Sequence, residues 1–292
     1  MPAIAQAMGA SLRDYGGAGA PVLFVPSLIN PPTVLDLGER SLLRWLAGQG
    51  HRVLLLDWGW PDAARSGLSV AGHVEQILLP LMLKLGERVH LVGYCLGGTM
   101  AAAAAQLGDA RTLTLLAAPW HFSAFPDESR SALAGLWAGN RAAAQALGVL
   151  PMEVLQSSFW SLDPARTVTK FEEFVGMESG QAAAFVALED WANDGPPLAF
   201  SAARELFEDF FARDLPGQGA WRVGGEPIDP AALACPILNI VSTTDRIVPH
   251  ESALAAGERI DLSLGHVGMV VGSRAQAALW EPLAAWLSRN AA

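Results

Sequence analysis

Short apolar runs recur over the first 120 positions, each closed by a turn and followed by a stretch of helical length. PVLFVP (residues 21–26), RVLLLD (52–57), VHLVGY (89–94) and TLTLLA (112–117) predict strands. Residues 37–49, 70–84 and 97–106 predict helices between and after them. The strands are apolar on both faces, which predicts a mostly parallel sheet with helices packed on either side. From 121 to about 230 the pattern changes to helical, aromatic text broken by prolines. Ten of the eleven phenylalanines lie between Phe122 and Phe211, joined by Trp137, Trp160, Trp191 and Trp221. The strand pattern resumes at CPILNIV (235–241). A helix near 252–258, a short strand over 259–264 and a closing helix over 273–289 follow. The chain thus predicts one discontinuous α/β core, residues 1–120 and 231–292, interrupted by a helical, aromatic-rich insertion over 121–230. That insertion reads equally as a subdomain with an ordinary core and as a cap shaping a site.

Composition narrows the class. Apolar residues make up 51% of the 292 positions and charged residues 16%, enough for a sizeable core and too little charge for a disordered chain. A net charge of -10 disfavours nucleic acid and anionic membranes as partners. No basic start leads into an apolar run, and no apolar stretch approaches the roughly 18–20 residues that cross a bilayer. Two cysteines do not make a disulfide framework, so a reducing cytoplasm is the expected setting. No metal-ligand cluster or phosphate-loop pattern is present, and no cofactor is expected.

The chemistry centres on VGYCLGGT. A G-x-C-x-G sequence between an apolar strand and a small-residue helix is the layout of a nucleophile elbow, with Cys95 at its apex. Bulky side chains at Gly93 and Gly97 would clash in so tight a turn. The helix beginning beyond Cys95 favours negative charge there, and the Leu96 amide would meet a developing oxyanion. Cys235 starts a strand whose far end leads to the same sheet edge, which places it roughly 20 Å away at about 3.3 Å per residue, too far for a disulfide.

Among the six histidines, His121, His250 and His266 lie beyond strand C-termini, where such sheets build their sites. His266, in SLGHVGMV, with Asp245, in VSTTDRIVP, gives the order nucleophile, acid, histidine expected of an α/β-hydrolase. Asp57 precedes the nucleophile and reads as structural. The second oxyanion donor is expected in the loop PSLIN, from Leu28 or, next, Ile29.

With these residues in place, PSLINPPTVLDL, LLLDWGWP, GYCLGGT, DRIVP and GHVGM resemble polyhydroxyalkanoate synthases, most closely the short class that works with a partner subunit. LEDWANDGPPLA and WRVGGEPIDPAAL resemble that family's path from cap back into core. GYCLGG alone is shared with dienelactone hydrolases, which are smaller and lack a long aromatic cap. The resemblance implies an acyltransferase acting on 3-hydroxyacyl-CoA thioesters, with coenzyme A entering as part of the substrate. Cys95 would be the acyl acceptor, His266 its base and Asp245 the residue orienting it. Ile29, Asn30, His121, Trp191 and Asp194 are candidate substrate or cap contacts, although His121 stands where the family has aspartate. A homodimer, a partner subunit or a polymer granule surface is the implied company. Two other readings stay open: a cysteine hydrolase (thioesterase, esterase, depolymerase or lactone hydrolase) and a non-catalytic partner of a synthase or granule.

Overall fold

The structure, a computed structural model, describes residues 1–291. Its eight central strands are β1 (Ala3–Ala7), β2 (Ala10–Asp14), β3 (Ala18–Val25) and β4 (His51–Asp57), then β5 (His90–Tyr94), β6 (Thr112–Leu116), β7 (Ile237–Ser242) and β8 (Glu258–Leu262). They lie in the order β1-β2-β4-β3-β5-β6-β7-β8. All pairs from β4 to β8 are parallel, and the β1–β2 hairpin joins antiparallel at one edge. This is the predicted α/β-hydrolase fold with a mostly parallel sheet. The hairpin was not predicted because AIAQA is small, leaves most of its positions exposed, and so lacks the apolar signature of the inner strands.

Register decides where the site can form. Val25 pairs with Gly93, Tyr94 with Leu116, and Leu116 with Ile240, so β3, β5, β6 and β7 end together. The loops that follow them meet at one sheet edge. Helices cover both faces: α1 (Leu42–Gly48), α2 (Val70–His73 continuing through Val74–Leu78 and Leu79–Leu85) and α3 (Leu96–Leu107). Two apolar clusters result, one on each side of the sheet. Residues Met100 to Ala105 of α3 are buried, their small side chains letting the helix lie close on the strands.

Two helix expectations need correction. The helix over 37–49 begins only at Leu42, because Asp36–Leu37 and Arg40–Ser41 pair as a tight hairpin through Gly38 at φ 60°, and Ser41 Oγ then caps the helix. The helix near 252–258 is absent. A single turn at His250–Ser252 gives way to extended chain and then Gly257 at φ 79°, where a Cβ would sit 2.3 Å from the Ile237 carbonyl oxygen. That left-handed turn into β8 cannot be helical.

After β6 the chain forms α4 (Asp127–Leu147), α5 (Met152–Ser161), α6 (Pro164–Phe174), α7 (Ser179–Asn193) and α8 (Phe200–Arg204), the last continuing as a π-helical stretch over Glu205–Phe211. That stretch packs on the sheet-covering layer. Glu205 accepts from the Ala71 amide (3.0 Å) and from Trp221 Nε1 (2.8 Å). The chain then returns to β7 and β8, and ends through α9 (Gly268–Val271) and α10 (Glu281–Arg289). Among the described residues no helix is long and apolar enough to cross a membrane.

Candidate active site

Cys95 sits between β5 and α3 at φ 56°, ψ −133°, a conformation that L side chains rarely adopt. Two hydrogen bonds hold it there: its amide donates to the Leu116 carbonyl (3.0 Å), and its carbonyl accepts from the Gly98 amide (2.8 Å). The surrounding glycines are dictated by space. A Cβ at Gly93 would lie 2.4 Å from the Gly98 Cα, one at Gly97 2.1 Å from the Val25 carbonyl oxygen, and one at Gly98 2.2 Å from the Ala118 Cβ. Backbone at Gly98 and Val25 and the Ala118 side chain thus force the strand, turn and helix together, and Cys95 stays partly exposed.

Asp245 follows β7. Its Oδ1 accepts from the Ile247 and Val248 amides (2.7 and 3.0 Å), which fixes the carboxylate and leaves Oδ2 for His266 Nδ1 at 2.5 Å. Both side chains are buried. An ionised carboxylate can only accept, so Nδ1 carries the proton and Nε2 is left for Cys95. Burial works against a charged imidazole, but the negative charges of Cys95 and Asp245, and hydrogen bonds to both, raise the His266 pKa to about 10. The fold therefore favours the protonated form of His266.

Tyr94 supports this arrangement and was not singled out by sequence, where it reads as one more residue of an apolar strand. Its hydroxyl donates to the His266 carbonyl (3.2 Å) and its ring lies 5.0 Å from the imidazole. Burial raises its pKa well above the usual value, as do the charges of Cys95 and Asp245, so it remains a donor. Ser242 Oγ anchors the same loop through the Leu264 carbonyl.

The loop after β3 flanks the thiol. Trp58 Nε1 donates to the Pro26 carbonyl (3.0 Å), and the Ile29 amide donates to Ser27 Oγ (3.0 Å). Among the described residues neither the Leu28 nor the Leu96 amide meets an acceptor. The loop is tied to the end of α7: Asn30 Nδ2 donates to the Ala192 carbonyl (3.1 Å), and Trp191 Nε1 to the Pro31 carbonyl (2.8 Å).

A cavity of about 770 Å³ opens over Cys95. Leu96, Ile29, Asn30, Trp191, Asp245 and His266 line it, together with aromatic and aliphatic side chains from α4, α5 and the π-helical stretch after α8. Leu28 is buried beside the loop, its side chain outside the lining. His121 also lies outside; its amide donates to the Ser252 carbonyl (2.9 Å). Asp194 is exposed and accepts from the Gly195 amide, away from the cavity. Asp57 pairs with Arg13 at 3.0 Å. Cys235 precedes β7 as a free thiol whose pKa burial pushes up.

Sheet order, elbow and an acid–histidine pair after the last strands together define an α/β-hydrolase. The chain belongs to the alpha/beta hydrolase family, whose model matches residues 22–280. Its similarity extends to particular relatives. It is 30% identical to the poly(3-hydroxyalkanoate) polymerase subunit PhaC of Haloferax mediterranei, over 92% of this chain and 59% of that protein. It is 29% identical to the subunit of the same name from Allochromatium vinosum, over 92% and 81%. The chain thus spans well under two thirds of the first relative and about four fifths of the second. These matches support the resemblance to polyhydroxyalkanoate synthases carried by the motifs. A solved bromoperoxidase from Bacillus anthracis superposes with a TM-score of 0.64 over 97% of this chain and 99% of that one, at 16% identity, which is a likeness of fold.

Proposed function

We propose that this protein is an acyltransferase that builds polyester from 3-hydroxyacyl-CoA thioesters through an acyl-cysteine. The observation that carries this reading is the similarity to polymerase subunits over 92% of the chain, which takes in both the elbow and the aromatic helices. In the first step Cys95 Sγ gives its proton to His266 and attacks the thioester carbonyl carbon. A bond from that carbon to Sγ forms as its bond to the CoA sulfur breaks, and His266 delivers its proton to the departing sulfur. The amides of Leu96 and Leu28 take the transient oxyanion. In the second step His266 accepts the proton of a 3-hydroxyl group, whose oxygen attacks the acyl carbon and releases Sγ. Exchange of one thioester for another is nearly balanced in energy, which suits a thiol nucleophile. An apolar cavity that limits water favours the hydroxyl as acceptor. Under this reading the enzyme works in the cytoplasm, with a second copy, a companion subunit or a granule surface as its partner.

Incubation with 3-hydroxybutyryl-CoA or a longer homologue is expected to release CoA and leave polymer or an acylated Cys95. Cys95→Ala should lower CoA release by about 1000-fold or more. Formation of free hydroxy acid alone, with the acyl carbon taking oxygen from labelled water, would sink the polymerase reading and leave a cysteine hydrolase.

A further inference from the structure

The cavity over Cys95 has walls of different chemistry. One is built from Phe122, Phe125, Leu133, Leu136, Phe207 and Phe211. The leucines come from one face of α4, and the last two phenylalanines stand one turn apart on the π-helical stretch after α8. Ser129 adds one hydroxyl from α4. Another wall carries polar groups: Asn30, Gln156 and the Lys170–Glu189 ion pair (2.6 Å).

The aromatic wall is rigid. The rings of Phe122 and Phe125 stack at 5.8 Å, and Phe211 meets them edge-on at 5.2 and 5.1 Å. Trp137 stacks on Phe207 at 5.3 Å and is fixed by its Nε1 donating to Glu208 (2.9 Å). Buried Asp214 pins the backbone behind the wall, accepting from the Phe122 amide (2.8 Å) and from Ser123 Oγ (2.5 Å). Such a wall can measure the length of what lies against it.

Its size and polarity say what that is. A 3-hydroxybutyryl group, with about six non-hydrogen atoms, occupies roughly 150–200 Å³ at about 30 Å³ per water-sized group. The cavity is several times larger, at about 770 Å³. Ester carbonyls of a polymer laid on bare phenylalanine would lose their hydrogen bonds to water without replacement, whereas an alkyl tail would gain by the same contact. We infer that the acyl tail lies against this aromatic wall, and that the site takes 3-hydroxyacyl groups of medium length, about six to twelve carbons, in preference to the four-carbon group. The polar wall is left for the amide-bearing arm of the carrier. This inference rests on the acyl-thioester reading above.

Single-turnover acylation tests it, read as CoA release and as the mass of the intact protein, with 3-hydroxybutyryl-CoA and 3-hydroxyoctanoyl-CoA. At up to roughly fourfold per buried methylene, kcat/KM should favour the octanoyl compound by about 10- to 100-fold. Leu136→Trp should lower that ratio at least about tenfold by filling the wall. Leu133→Trp should do the same and decides the matter if the first variant fails to fold. Equal or faster acylation by the butyryl compound, or a ratio unmoved in a folded variant, overturns the inference and leaves acyl transfer standing. Acylation by neither compound would instead remove the acyl-transfer reading itself.

Discussion

The elbow and the outer helices α6 and α7 are built in opposite ways. Around Cys95 every neighbour is packed: ten residues of α3 are buried, and three glycines leave no room for a methyl group. In α6 and α7 no residue is buried, and Val168, Phe171 and Val186 face solvent. A few polar ties attach this pair to the rest. Arg246, next to the acid Asp245, bonds Asp163 at the start of α6, and Asn30 and Trp191 join the end of α7 to the loop after β3. Packing of small residues against backbone fixes a position to fractions of an ångström, whereas side-chain ties hold one that substitutions can vary. The strained turn at Cys95 needs the first, and helices laid over a cavity can be built with the second.

The largest effect should come from closing the smallest gap. Gly97→Ala places a Cβ 2.1 Å from the Val25 carbonyl oxygen and 2.5 Å from that of Pro26, so β3 and α3 must separate. Destabilisation of about 3 kcal/mol or more is expected, a large share of the roughly 5–15 kcal/mol typical of a domain. Urea unfolding measures it. A variant as stable as the parent would show that the elbow yields as readily as the outer helices.

A smaller effect tests the link between the elbow and Asp245. His266 is raised from 6.5 to about 10, so the fold favours its protonated form. The associated stability is fully present below pH 6.5 and is lost as pH rises through about 10. Asp245→Asn removes the carboxylate charge, so the stability it costs should be greatest at and just below pH 6.5 and shrink as pH rises towards 10. The alkaline limb of the Cys95 acylation rate should move down by at least about one pH unit. A limb unchanged in the variant would separate Asp245 from the proton on His266.

How much of this was legible in the sequence follows the same division. GYCLGG named the elbow because glycine there is forced by space, and the runs before it named the inner strands because burial on both faces leaves an unmistakable apolar signature. His266 and Asp245 were paired from chain order, and the structure brings them to 2.5 Å. Tyr94 was hidden because its hydroxyl acts from within an apolar strand, on a carbonyl 172 positions away. Asp214 was hidden because its partners, Phe122 and Ser123, lie some 90 positions earlier, where no local pattern marks them. His121 drew notice because it lies beyond a strand end and stands where the resembled family has aspartate, and Asp194 because of its place in LEDWANDGPPLA, yet neither lines the cavity. The helix expected at 252–258 failed because a single glycine turn outweighs a helix-like composition.

The smallest expected effect lies at the tip of α6. Val175 is 88% exposed beyond the end of the helix and is not among the residues that line the cavity. Val175→Ser removes apolar surface that water already reaches, so stability should stay within about 0.5 kcal/mol and the acylation rate should not change. Thermal melting and CoA release on the purified protein measure both. A loss comparable to that at Gly97 would mean that this tip is covered in solution, and that its freedom belongs to the isolated chain and not to the working protein.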